Sequence, residues 1–132
     1  MARPPKCRQV ARLPVVTYFK PQGIPMSQLS EVIIPVEELE AVRLCDLEGL
    51  EQEDCAEKMA VSRPTFHRII TAARKKIAEG LINGLAIRVE GGNYQVSLSK
   101  LKCKACGFKW EGTFCKRHTK CPKCNSRDWD GS

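Results

Sequence analysis

Ser62-Arg-Pro-Thr-Phe-His-Arg-Ile-Ile-Thr-Ala-Ala-Arg-Lys-Lys-Ile77 carries the cleanest periodicity in the chain. At 3.6 residues per turn, Phe66, Ile69, Ile70, Ala73 and Ile77 fall within an arc of about 100°. That pattern predicts an amphipathic helix. Ser62 suits its N-cap, where a hydroxyl accepts a free backbone amide. Pro64 falls in the first turn, where a missing N–H costs nothing. The helix is expected to run to Asn83, with Gly84 just past its end. Opposite the apolar stripe lie Pro64, Arg68, Thr71 and Lys75, flanked by Thr65 and His67.

Upstream, Val36 begins a run of helix formers whose first turn is crowded with Glu37 and Glu38. Negative charge is favoured there by the helix dipole. The apolar stripe of this segment is imperfect, because Leu44 lies off the face set by Val36, Leu39 and Val42. Gly49 breaks the run. A second short helix is expected from about Gln52 to Met59, with Cys55, Ala56 and Met59 at helical spacing. Ala60-Val61-Ser62 then makes a tight connection to the long helix. Three helices joined this way have the layout of a helix-turn-helix, which presents one helix to a DNA major groove. Arg68 is placed to donate two hydrogen bonds to guanine, and Thr65 and His67 to meet bases at the helix start. Arg63, Arg74 and Lys75 suit phosphates, which fix register without reading sequence. The plainer alternative is a solvated helix whose outer face is merely basic.

The first 30 residues contain Pro4, Pro5, Pro14, Pro21 and Pro25, so continuous helix is not expected there. Val15 to Phe19 reads as a short strand, and the remainder as arm and turn. Arg3, Lys6, Arg8 and Arg12 give this arm the means to enter a minor groove, as homeodomain arms do. A basic terminus without a partner is the competing reading. Downstream, Leu85 to Glu90 and Tyr94 to Ser99 alternate apolar and polar residues about Gly91-Gly92-Asn93, which predicts a β-hairpin. The expected layout is a basic arm (1–35), a helix-turn-helix (36–84), a hairpin (85–100) and a metal-binding tail (101–132). The expected fold class is mainly α.

Charge is distributed in blocks. Residues 1–30 carry +5, 31–60 carry −8, 61–80 carry +4, 81–100 carry +1 and 101–132 carry +5. Basic segments flanking an acidic one point to an anionic partner met by particular elements. No apolar run approaches the ~18 residues of a membrane helix. The start, Met-Ala-Arg-Pro-Pro-Lys-Cys-Arg, lacks the apolar stretch of a secretory signal, so a cytoplasmic protein without a membrane role is expected. With two histidines, no phosphate loop and no acid–base pair, no catalytic constellation assembles, and an enzyme is not expected.

The stretch Asp46-Leu-Glu-Gly-Leu through Val61-Ser-Arg-Pro-Thr-Phe and Ala73-Arg-Lys-Lys-Ile77 resembles the promoter-reading region four of bacterial sigma factors. More widely, residues 3 to 94 resemble a prokaryotic family of uncharacterised proteins, a domain of unknown function with a sigma-like helix-turn-helix. The segments that carry this likeness are Arg3-Pro, Tyr18-Phe-Lys-Pro with Gly23-Ile-Pro, Glu38-Leu-Glu-Ala, Asp46-Leu-Glu-Gly-Leu, Val61-Ser-Arg-Pro-Thr-Phe and Gly91-Gly-Asn-Tyr94. The resemblance implies a DNA-binding fold and a regulatory role. The other sigma regions are absent, which excludes a complete sigma factor. The tail beyond residue 100 lies outside the resemblance.

Cys103-Lys-Ala-Cys106-Gly107 and Cys121-Pro-Lys-Cys124-Asn125 are separated by 14 residues. Two thiolates at this spacing grip one metal from a tight turn, and the Gly or Asn that follows tolerates positive φ. Cys103, Cys106, Cys121 and Cys124 thus form a tetrahedral sulfur set. The segment resembles a zinc ribbon, with Trp110 and Trp129 available to pack its small sheet. So short a unit buries too little apolar surface alone, so the metal would supply its folding energy. Cys-x-x-Cys-Gly with Cys-Pro-x-Cys also resembles rubredoxin, which holds iron in the same ligand set. Zinc is the expected ion. Cys115 and His118 are alternative ligands, while Cys7, Cys45 and Cys55 read as arm or core thiols. The surrounding lysines either balance the thiolate charge, meet nucleic acid, or do both.

The expected function is that of a cytoplasmic transcriptional regulator that binds double-stranded DNA through the helix at 62–83. Two rivals stand beside it: a factor that docks on RNA polymerase through the acidic residues 37–57, and a rubredoxin-like electron carrier. Whether the protein forms a homodimer is left open by the sequence.

Overall fold

The computed structural model describes residues 8–114 and 119–131. Helix α1 (Val36–Val42) starts after Pro35 and continues into a π turn over Arg43–Leu47. Helix α2 (Gln52–Lys58) and the long helix α3 (Arg63–Asn83) follow. Among the described residues eight strands run around them: β1 (Arg8–Val10), β2 (Tyr18–Phe19), β3 (Glu31–Ile34), β4 (Ala86–Val89), β5 (Tyr94–Val96), β6 (Leu98–Cys103), β7 (Lys109–Thr113) and β8 (Trp129–Gly131). They form a β1–β5 pair, a β2–β4–β3 sheet and a β7–β6–β8 sheet. The fold is therefore mixed, not mainly α. The strands are two to six residues long, too short for their alternation to stand out. Several also pair far along the chain, as Arg8 does with Tyr94 and Glu31 with Ala86.

The long helix follows its sequence closely. The Ser62 side chain accepts from the Thr65 amide, and Gly84 closes the helix with φ 65°. Phe66, Ile70 and Ala73 are fully buried, and Ile69 nearly so. Phe66, Ile69 and Ile70 pack with Ala41, Leu44, Cys55, Ala56 and Met59 in one core. Leu44 reaches that core beside Ala41, three residues back, while Val36 and Leu39 face the second cluster, so α1 is buried on two sides. The Glu48 amide donates to the Arg43 carbonyl at 2.9 Å across the π turn. At the far end of α3, Gly80 lies flat against Ile87 and Val32, where a Cβ would stand 2.7 Å from Ile87.

The expected hairpin does not form, although both of its strands do. β4 is occupied on each edge, by β2 antiparallel and by β3 parallel, while β5 pairs in parallel with β1. The Gly91-Gly92-Asn93 segment is tied to the start of α1. The Gly91 carbonyl accepts from the Val36 amide, and the Asn93 amide donates to the Glu37 carboxylate. Gly92 has φ 108°, and a Cβ there would collide with that carboxylate. The basic N-terminal segment is likewise built into the body from Arg8 onward. Val10 is fully buried with Val36 and Val89, and the Gln9 amide donates to the Met59 carbonyl at the end of α2.

Three glutamates of α1 are nearly buried, and each is satisfied within the fold. Glu37 accepts from the Asn93 amide at 3.1 Å, Glu38 pairs with Lys76 at 2.9 Å, and Glu40 accepts from the Ala11 amide at 2.7 Å. Glu40 also takes the Arg43 guanidinium at 2.6 Å. The acidic block is thus divided: the three carboxylates of α1 hold it to β1, α3 and the glycine segment, while Glu31 and the later ones face solvent. A buried carboxylate is tolerable only when it is paired in this way.

Candidate functional site

The outer face of α3 is polar from its first turn. Arg63, Pro64, His67, Arg68, Thr71, Arg74 and Lys75 are exposed, and Thr65 is half-buried. Four of these side chains are steered by neighbours. Arg63 pairs with Glu53 of α2 at 3.3 Å, and His67 Nδ1 lies 3.4 Å from Gln52 Oε1. Arg68 donates to the Thr65 hydroxyl at 3.3 Å. Arg74 is held most firmly, by Asp46 at 2.6 Å and by the Cys45 sulfur at 3.4 Å. Its hydrogen bond holds the Asp46 carboxyl below the usual carboxylate range. Lys75 has no ion pair among the described residues.

Arg8 stands close to this face, but within strand β1 rather than on a free arm. It lines a cleft of about 300 Å³ with Glu37, Glu38, Thr65 and Arg68. Its Nε is buried without a hydrogen-bond partner among the described residues. Arg3, Lys6 and Cys7 lie outside the described residues, as do Cys115 and His118. Arg12 is drawn elsewhere: its guanidinium sits 4.1 Å from the centre of the Phe114 ring. Sequence pattern gave no sign of this contact, since the two residues are about a hundred positions apart.

The second cluster is sulfur. Strands β6 and β7 lead into and out of the first knuckle, and β8 follows the second. At each knuckle an amide reaches back to the first cysteine's carbonyl, Gly107 to Cys103 and Asn125 to Cys121, both at 2.9 Å. Gly107 and Asn125 take the positive φ that this turn demands, 78° and 62°. The sulfurs of Cys103 and Cys124 lie 3.6 Å apart, as do those of Cys106 and Cys121. All four lie within 4.8 Å of one another. A tetrahedron of thiolates about 2.3 Å from a central zinc has edges of about 3.8 Å, so the donor set fits one ion. The backbone amide of Cys106 leads in drawing the Cys103 thiol down to about 7. Four thiolates this close cannot all ionise without a cation between them. Cys103 and Cys121 are buried, whereas Cys106 and Cys124 face solvent. The four cysteines form a site able to hold a metal ion.

Residues 1–97 match the family described as "Protein of unknown function DUF134". The chain belongs to this family. The match ends at the junction of β5 and β6, before the cysteine unit. A "UPF0251 protein" of Pelotomaculum thermopropionicum is 59% identical over 129 residues, covering 98% of this chain and 97% of its own length. Another "UPF0251 protein", from Moorella thermoacetica, is 55% identical over 131 residues, 99% of this chain and 87% of that one. A "UPF0251 protein" of Thermoanaerobacter pseudethanolicus is 71% identical over 96 residues, 73% of this chain and 81% of its own. The first two likenesses extend through the cysteine unit. No solved structure matches the chain. Among the described residues, no helix is long and apolar enough to cross a membrane.

Proposed function

We propose that the protein is a cytoplasmic transcriptional regulator that reads double-stranded DNA with α3. The observation that carries this reading is the division of α3 into two faces: a buried Phe66/Ile69/Ile70/Ala73 stripe and an exposed polar face bearing Arg68, Thr71 and Lys75. A major groove admits one helix, and the face it would meet here has donors suited to base edges and phosphates. Helix α2 and the tight turn behind it fix α3 on the body, in keeping with a helix-turn-helix. Arg68 is the base-reading residue of this proposal, with Thr65 and His67 beside it. Lys75 and Arg63 meet phosphates. Arg8 joins them from β1, across the cleft it shares with Arg68. The cysteine set takes zinc, which supplies folding energy to residues 98–131.

Arg68→Ala is expected to cost about 1–3 kcal/mol at the preferred site and to relax base preference there. Lys75→Ala is expected to weaken binding to all duplexes alike and to flatten the salt slope by about one unit. A selection from random duplexes, run on both variants and the parent, separates these effects. An unchanged motif for Arg68→Ala overturns the base-reading assignment.

A further inference from the structure

Two cysteines outside the metal set are brought together by the fold. Cys45 lies in the π turn after α1 and is half-buried, while Cys55 is fully buried in α2. The chain between them doubles back on itself. The Leu50 amide donates to the Leu44 carbonyl at 3.1 Å, and the Cys55 thiol donates to the Leu50 carbonyl at 3.7 Å. Cys45 packs against the core cluster that contains Cys55. Burial leads in pushing the Cys55 thiol up to about 11, and the charge and hydrogen bond of the neighbouring Cys45 sulfur add to it. The two sulfurs thus face each other across adjoining elements, as a disulfide requires of its partners.

Their surroundings differ in a way that assigns them different chemistry. Cys45 meets a cation. Arg74 reaches across from α3 and donates from Nη2 to the Cys45 sulfur at 3.4 Å, while Asp46 anchors the same guanidinium at 2.6 Å. Cys55 instead shares its cluster with Ala56, Met59, Phe66 and Ile70. A partly exposed sulfur in electropositive surroundings is the reactive kind, whereas a buried thiol among apolar side chains is inert toward reagents from solvent. Cysteines that respond to oxidants combine an accessible sulfur of the first kind with a second thiol beside it that resolves the product.

We propose that Cys45 is a hydroperoxide-reactive cysteine and Cys55 its resolving partner, the two closing into a reversible disulfide. The Cys45 sulfur attacks one oxygen of hydrogen peroxide and the O–O bond breaks. The sulfur is oxidised to a sulfenic acid, and the departing hydroxide leaves as water with the proton of the Cys45 thiol. The Cys55 sulfur then attacks the sulfenic sulfur, the S–O bond breaks, and the hydroxyl departs as a second water with the Cys55 proton. In sum, a pair of thiols and one peroxide give a disulfide and a pair of waters. The first step prepares the second, because a neutral sulfenic acid no longer sets a negative charge against ionisation of Cys55. The new bond ties the π turn to α2, the elements whose Leu44, Cys55, Ala56 and Met59 seat α3. This modification site is separate from the four clustered cysteines and does not depend on what α3 binds.

The experiment uses the full, reduced, metal-loaded chain and hydrogen peroxide. After brief exposure, free thiols are blocked with N-ethylmaleimide and protease fragments are weighed by mass spectrometry. Fragments joined through Cys45 and Cys55 are expected, lighter by a pair of hydrogen atoms than the free thiols, separable by dithiothreitol, and formed before any metal is released. Dimedone, which captures sulfenic acids, is expected to label Cys45 at the expense of the disulfide. That competition is run in the parent chain and needs no variant. In Cys55→Ser the Cys45 label is expected to accumulate, and in Cys45→Ser the Cys55 thiol is expected to remain free. Arg74→Gln is expected to slow the labelling of Cys45 several-fold. Recovery of Cys45 and Cys55 as maleimide adducts after metal has left, dimedone on Cys55 in place of Cys45, or an undiminished rate in folded Arg74→Gln overturns the proposal.

Discussion

Between Arg8 and Val96 the chain buries two apolar clusters and three carboxylates, each carboxylate paired across elements. Between Leu98 and Gly131 its described buried side chains are Leu101, Trp129 and two of the four clustered cysteines. The two regions thus reach order by different routes. The body closes on itself, with β1 bound to β5, α1 to β1 and α3 to β3 and β4. The cysteine unit has too little apolar surface to do so, and its amides converge on sulfur. They meet where Arg12 lies over Phe114 and the Leu13 amide reaches the Phe114 carbonyl at 3.4 Å. Each region should consequently fail under a different insult.

The largest expected effect is the loss of the cysteine unit alone. Cys121→Ser removes a buried ligand, and metal binding to structural sites supplies about 10–16 kcal/mol of folding free energy. The protein as purified should hold one zinc per chain by elemental analysis, and the variant should lose it. Trp129 should then become solvent-exposed in fluorescence while the helical circular dichroism of the body persists. Iron in place of zinc would show as a reducible visible spectrum. If helicity collapses together with the metal, the body is not independent and the contrast between the two regions fails.

Next in size is the buried pair in the body. Glu40 is almost wholly buried and serves both the Ala11 amide and Arg43, so Glu40→Ala strands a backbone donor and leaves the half-buried guanidinium with Glu48 alone. Removing one member of a buried pair costs about 3–5 kcal/mol. Denaturant unfolding followed by circular dichroism should show that loss, with zinc content unchanged. Glu40→Gln keeps an acceptor for Ala11 and should recover part of it. A cost below about 1 kcal/mol would place this pair among ordinary surface ion pairs.

What could be read in the sequence follows the same division. The α3 helix, its Ser62 cap and its Gly84 end were legible because a 21-residue amphipathic pattern repeats itself many times over. The cysteine set was legible because metal ligation imposes a local spacing and a positive φ after each knuckle. Strands β2, β4 and β5 were legible, but β1, β3 and the pairing of all of them were not. β1 and β3 are three and four residues long, and their partners lie in a different part of the chain. The Gly91-Gly92-Asn93 segment looked like a turn because its composition is that of a turn. Gly92 instead makes room for Glu37. Leu44 looked misplaced because α1 was read with one buried face, whereas it serves two clusters, Val36 and Leu39 in one and Ala41 and Leu44 in the other. Glu37, Glu38 and Glu40 read as part of the acidic docking stretch 37–57, since nothing local to α1 announces the amides and cations that meet them.

The smallest effect is the sharpest test of α3. Asp46 holds Arg74 at 2.6 Å, and both side chains are substantially exposed, so the pair adds only about 0–1 kcal/mol to stability. Its effect on DNA binding should be larger than its effect on folding. While Asp46 is ionised, Arg74 is partly neutralised and turned toward the π turn. Asp46→Asn removes that charge and leaves Arg74 free for a phosphate. Duplex affinity should rise for every sequence, and the salt slope should steepen by about one unit. Thermal stability should fall slightly or not at all. The pH dependence has a definite sign. Arg74 lowers the Asp46 pKa in the folded protein, so the pair's stabilisation is present above the ordinary carboxyl value and is lost as pH falls through the lowered one. At neutral pH the carboxylate is therefore fully charged, and only the substitution releases Arg74. If Asp46→Asn leaves both duplex affinity and salt slope unchanged, Arg74 does not meet DNA, and the phosphate contacts of α3 reduce to Arg63 and Lys75.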